Sequence, residues 1–116
     1  MRVVAGSLGG RRLVTPPGND TRPTTDKVRQ AVFNSLDSAG LIDGAVVADL
    51  FAGSGAMGIE AMSRGAQRCV FVEKGREALA ALRSNLSTFG LERSTEVIVG
   101  DAVVTAGRLG DVDLVI

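Results

Sequence analysis

A chain of 116 residues is long enough for one domain with a real core, and it holds no apolar run near the roughly 20 residues that span a bilayer. Hydrophobic residues make up 45% of it, yet there are four Phe and no Trp or Tyr, so the core must be aliphatic, as in α/β proteins with parallel strands. Net charge is zero but uneven: residues 1–30 carry six basic against two acidic residues, residues 31–116 seven against eleven, which points to a polyanion met through the N-terminus.

Eleven of the thirteen basic residues are Arg, a choice that suits phosphate recognition and that codon bias would also produce. The N-terminal apolar stretch is too short for a signal peptide. The lone Cys69 excludes an internal disulfide, fits a reducing cytoplasm and reads as a small buried strand residue.

In chain order, Arg2 to Ala5 and Arg11 to Thr15 are short β-like runs around GSLGG. They predict a hairpin with a five-residue loop, its polar edge carrying Arg2, Arg11 and Arg12. Such a row is either solvated or placed for nucleic-acid phosphate. Residues 16–23 read as a turn-rich linker. Thr24 or Thr25 can N-cap a helix whose apolar face is Val28, Ala31, Val32 and Leu36, with Phe33 at its border. Arg22, Lys27 and Arg29 cluster at its start, and Gly40 and Gly44 close it.

The centre of the chain is residues 46–65, VVADLFAGSGAMGIEAMSRG. A strand runs into Gly53, Gly55 and Gly58 and on into a helix, the strand–turn–helix corner that receives anions and nucleotides. Gly53 would make the tight turn, Gly55 would admit a ligand to the backbone, and Gly58 would bring the helix near the strand. A second strand spans Arg68 to Glu73, and a helix between Gly75 and Phe89 carries Ala78, Leu79, Leu82, Leu86 and Phe89 on one stripe. A third strand, Glu96 to Val99, precedes Asp101; a short helix or loop and the start of a fourth strand, Asp113 to Ile116, follow. The alternation predicts an α/β, Rossmann-like doubly wound parallel sheet. The expected division is a basic hairpin and helix, residues 1–44, and a cofactor-binding core, residues 45–116.

Ligands of such sheets bind beyond the carboxyl ends of the strands, where three acids recur. Glu73 lies twenty residues beyond Gly53, the distance at which an acid meets ribose hydroxyls. Asp101 is placed to accept from an amino group, and Asp49 sits near the corner where a cation would be held. A nicotinamide dinucleotide would put its pyrophosphate beside Asp49, which repels it. S-adenosyl-L-methionine has no phosphate and offers an ammonium, a ribose and an adenine, so the acids favour it. A nicotinamide-dependent oxidoreductase and a non-catalytic RNA-binding module remain the alternatives. No metal site is expected.

Residues 49–66 (DLFAGSGAMGIEAMSRGA), 71–74 (FVEK) and 100–102 (GDA) resemble the class I S-adenosylmethionine-dependent methyltransferases. Residues 2–13 (RVVAGSLGGRRL) and 22–36 (RPTTDKVRQAVFNSL) are similar to the RsmD family, whose members methylate N2 of a guanine in 16S ribosomal RNA. The resemblance implies a cofactor site lined by Asp49, Phe51, Gly53, Gly55, Glu73, Lys74, Asp101 and Ala102. It implies RNA contact by Arg2, Arg11 and Arg12, and a wall near the substrate mouth with Arg22, Thr25 and Arg29. It further implies 16S RNA or the small ribosomal subunit as partner, and a cytoplasmic monomer at full length. The RsmD family also carries an Asn/Asp-Pro-Pro-Tyr/Phe motif at the end of the fourth strand. The sequence stops at Ile116 without it, so a truncated sheet, cofactor binding and little turnover are expected, and no residue here is assigned a catalytic role.

Overall fold

A computed structural model describes residues 1–16 and 26–116. The regular elements are α1 (Asp26–Ser38), β1 (Val46–Asp49), α2 (Ala56–Ser63), β2 (Arg68–Glu73), α3 (Arg76–Thr88), β3 (Thr95–Val99), α4 (Ala102–Ala106) and β4 (Leu114–Val115). The strands form one parallel sheet in the order β3-β2-β1-β4. This is the doubly wound α/β arrangement expected from the alternation, with the order of successive strands reversing at β1.

Alternation along β2 builds a core on each face. Cys69 and Phe71 join Val47, Ile59, Leu82 and Leu86 on one side, beneath α2 and α3. Val70 and Val72 meet Ala102, with Leu50, Ile98 and Leu109, on the other. Gly58 sets how near α2 lies to the sheet: a Cβ there would stand 2.4 Å from Phe71 Cε1 and 2.8 Å from Cys69 Sγ.

The N-terminal hairpin forms as expected around residues 6–10. Arg2 and Arg12 make an antiparallel bridge, and Val3 N–H and Leu13 N–H donate to Arg11 and Met1 carbonyls, both at 2.9 Å. The described part of residues 1–44 shares its core with the sheet. Val3, Leu13, Phe33 and Ile42 belong to the same core as Val47 and Phe71.

The fully buried Glu60 of α2 fastens this segment. Its carboxylate accepts from Val4 N–H (2.8 Å), Ala5 N–H (3.1 Å) and Arg64 Nε (2.9 Å), and lies 3.5 Å from Arg29 Nε. Ser63 adds a bond from its hydroxyl to the Ala5 carbonyl and accepts from Leu8 N–H at 2.9 Å.

The face that α1 buries differs from the predicted one. Arg29 and Phe33 are its buried residues, whereas Val28 is 53% and Val32 40% exposed and Ala31 is also exposed. The cause lies on α2: Glu60 draws Arg29 inward, and the Arg64 guanidinium covers the Phe33 ring at 5.5 Å. A buried charge pair and one aromatic ring override a stripe of small aliphatic residues. The predicted cap at Thr24 or Thr25 lies outside the described residues.

Candidate functional site: a cofactor corner and a basic hairpin

The turn after β1 is held by side chains from β1, β2 and α3. Gly53, at φ +56°, donates its N–H to Glu73 Oε1 at 2.8 Å. Ser54 C=O accepts from Asn85 Nδ2 at 2.9 Å, while Gly55 N–H reaches Ala52 C=O at 2.8 Å. Gly58 N–H donates to Asp49 Oδ2 at 3.0 Å. A Cβ on Gly53 would meet nothing within 4 Å, so this backbone faces open space. Gly55 differs from its expected role. A Cβ there would lie 2.6 Å from Leu82 Cδ1, so its missing side chain admits α3 rather than a ligand.

Beyond the strand ends is a cleft of about 90 Å³ lined by Leu50, Phe51, Val72, Glu73, Lys74, Gly100, Asp101, Ala102 and Val103. Five of the eight residues predicted to hold a cofactor, Phe51, Glu73, Lys74, Asp101 and Ala102, thus share one wall. The cleft is smaller than the roughly 300–1,000 Å³ of complete ligand pockets, and fits one end of a nucleoside. A hollow of about 330 Å³ lined by Arg83, Leu86, Glu92, Thr95 and Val97 lies where β3 begins and gathers none of these groups.

Each acid is committed in part to the protein's own backbone. Glu73 accepts Gly53 N–H on Oε1, and Gly75 N–H (2.8 Å) and Lys74 N–H (3.2 Å) on Oε2. With about four lone-pair sites on a carboxylate, capacity for one further donor remains, on Oε1. The expected pairing with both ribose hydroxyls therefore reduces to one. Asp101 caps α4, with Oδ1 accepting from Val103 N–H (2.9 Å) and Val104 N–H (3.1 Å). Those bonds, then the Lys74 ammonium 3.8 Å from Oδ2, hold its carboxyl below the usual range. Its Oδ2 points away from the cap and is available to an amino group.

Asp49 departs from the reading based on a bound cation. It is 3% exposed, does not line the cleft, and supports the first turn of α2 from beneath. Desolvation pushes its carboxyl up to about 7; the Gly58 N–H opposes the rise and the Glu73 charge adds to it. A carboxyl half neutral near pH 7 repels a pyrophosphate less than assumed, so the choice of cofactor passes to Glu73 and Asp101.

The basic set also divides. Arg2 and Arg12 are exposed and face one another across the antiparallel bridge, with Arg2 Nη1 donating to Gly10 C=O at 2.9 Å. Like charges set opposite each other cost stability unless an anion joins them. Arg11 lies over the Phe89 ring at 4.7 Å, with Nη2 3.5 Å from Thr88 C=O, so part of its capacity goes to the end of α3. Arg29 is 0% exposed and ion-paired with Asp26 and Glu60, which removes it from any RNA-facing surface. Arg22 lies outside the described residues.

Sequence reasoning missed Asn85, Glu60 and Ser63. The one signal for Asn85 was its place between Leu82 and Leu86, a polar residue inside an apolar helical stripe.

The family described as Conserved hypothetical protein 95 matches residues 1–115. The chain belongs to that family. Among curated relatives, the "Putative rRNA methyltransferase YlbH" of Bacillus subtilis is 46% identical over 102 residues, covering 88% of this chain and 54% of the relative. Ribosomal RNA small subunit methyltransferase D of Escherichia coli is 43% identical over 88 residues, covering 76% and 43%. Among solved structures, the "Putative methyltransferase yhhF" of Escherichia coli superposes with a TM-score of 0.79 at 35% identity, over 90% of this chain and 55% of that one. The chain thus spans about half the length of the family members it matches. Among the described residues, no helix is long and apolar enough to cross a membrane, and no cluster of His, Cys, Asp and Glu could hold a metal ion.

Proposed function

We propose that the chain is the methyl-donor-binding part of an S-adenosyl-L-methionine-dependent ribosomal RNA methyltransferase acting on N2 of a guanine in 16S RNA. The observation that carries the reading is the meeting of Phe51, Glu73 and Asp101 in one cleft, with Glu73 also holding the Gly53 N–H of the glycine turn. The donor set fits a phosphate-free nucleoside. Glu73 Oε1 accepts a ribose hydroxyl, Asp101 Oδ2 accepts from an adenine amino group, and the Phe51 ring, 80% exposed, offers a flat apolar surface. The Val104 and Val103 N–H groups, with a smaller contribution from the Lys74 ammonium, favour the ionised form of Asp101.

S-adenosyl-L-methionine supplies an electrophilic methyl on a sulfonium. The protein's task is to orient it and exclude water, and positioning is worth about 7–11 kcal/mol at best. The guanine N2 lone pair is delocalised, so the base must be held with its amino group facing the methyl. In the RsmD family that task goes to the Asn/Asp-Pro-Pro-Tyr/Phe motif, which these 116 residues do not contain. The exposed Arg2–Arg12 pair supports a ribosomal RNA partner approached through the hairpin.

Calorimetric titration with S-adenosylhomocysteine and with NADH tests the reading. Binding of S-adenosylhomocysteine, weakened in Glu73→Ala and in Asp101→Ala by about tenfold to a hundredfold each, supports it, since a hydrogen bond to a charged group is worth about 1.5–3 kcal/mol. Binding of NADH alone overturns it. The RNA-binding-module alternative, favoured by the Arg2–Arg12 pair, predicts RNA affinity with neither cofactor bound.

A further inference from the structure

Asn85 is 1% exposed and joins two parts of the molecule that otherwise belong to different tasks. Its Oδ1 accepts from Val14 N–H at 2.8 Å, and its Nδ2 donates to Val14 C=O at 2.9 Å and to Ser54 C=O at 2.9 Å. Ser54 is the middle residue of the Gly-Ser-Gly turn, between two glycines at positive φ. Val14 lies on the strand leaving the basic hairpin, two residues beyond Arg12. The amide group of one side chain thus satisfies both backbone groups of Val14 and fixes the tilt of the Ser54–Gly55 peptide plane.

A second fastening of the hairpin, through Glu60 and Ser63, reaches buried residues of α2 and makes no hydrogen bond to this turn. The two attachments therefore differ in what they can transmit. Glu60 ties the hairpin to the body, whereas Asn85 ties it to the cofactor corner.

We propose that Asn85 is a positioning residue that links the cofactor turn to the exit strand of the basic hairpin, so that occupying the turn tightens the hairpin. The inference rests on the cofactor reading above. Openings that release Val14 from Asn85 also free Ser54, and a ligand seated on the turn opposes them. The coupling is reciprocal, so an anion held by the hairpin strengthens cofactor binding by the same factor.

Amide hydrogen exchange read residue by residue, with and without S-adenosylhomocysteine, tests this. At about 100 times its Kd a ligand suppresses openings that destroy its site about 100-fold. In the wild type, exchange slows at Gly53 and Gly55 and also at Val14, but not at Val4, whose N–H is bound by Glu60 instead. Equal slowing of Val4 and Val14 would mean general stabilisation and overturns the link, as does slowing at the turn with Val14 unchanged. In Asn85→Asp, which keeps the acceptor for Val14 N–H and loses both donations, the turn still responds and Val14 no longer does. A variant that retains the Val14 response refutes the proposal. If Asn85→Asp does not fold, the wild-type comparison of Val14 with Val4 decides by itself. Absence of any slowing at Gly53 and Gly55 instead defeats the cofactor reading, and the link falls with it.

Discussion

Replacing Asp49 by Asn should remove most of the fall in stability that the wild type shows as pH rises through neutrality. The carboxyl is 3% exposed, and burial lifts its pKa from 3.8 to about 7. The folded state therefore holds a proton that the unfolded chain releases, and stability drops with rising pH between those two values. Between about pH 5 and pH 8 the loss is about 2–3 kcal/mol, from roughly two units of linkage at about 1.4 kcal/mol each. Asn keeps an oxygen for the Gly58 N–H and has no charge to desolvate. Urea unfolding of both proteins at the two pH values is the assay. The wild-type midpoint should fall by about 1–2 M, taking an m-value of about 1.5 kcal/mol/M. The variant's should stay nearly level and exceed the wild type's at pH 8. Parallel pH profiles for the two proteins would refute the reasoning, because the titrating group would then lie elsewhere.

Glu60→Gln should cost about 3–5 kcal/mol in the same assay, since Arg29 and Arg64 stay buried without their shared carboxylate; a loss under 1 kcal/mol would show that other groups neutralise them. Gly58→Ala should destabilise by about 1–3 kcal/mol, because its Cβ would press on Phe71 and on Cys69, and thermal melts would register it. Arg2→Ala with Arg12→Ala should weaken RNA binding uniformly across sequences and lower the slope of log K against log salt by about 2, while raising stability slightly through relief of the like-charge pair; an unchanged slope would place the RNA contact elsewhere.

The sheet and its glycine corner were legible because their signals are local. VVADLF and RCVFVE are continuous apolar runs, and the glycines between them leave few alternatives. The acids at the strand ends were legible by spacing, and Glu73 and Asp101 line one cleft. What failed was anything settled by a distant partner. The resemblance puts Arg29 in a wall near the substrate mouth, but Glu60, on another helix, claims it. Val28 and Val32 resembled core because hydrophobicity alone cannot say which side of α1 meets the body. Asn85 bonds to Val14 across 71 positions and Glu60 to Val4 across 56, beyond the reach of any pattern within a helix. Asp49 reads in sequence as facing a bound cation, but its carboxylate turns under the corner, onto Gly58 N–H, instead of toward the opening.

The reversal of strand order at β1 has a consequence for how such a chain acquires chemistry. Successive crossovers first build outward to one side, with α2 and α3 on one face, and then return to the far side of β1 with α4 on the other. Above that seam the two helical layers must diverge, so a hollow arises there as a by-product of winding, before any residue is selected to line it. Substitutions at its rim can change what is recognised while leaving the scaffold's own architecture untouched.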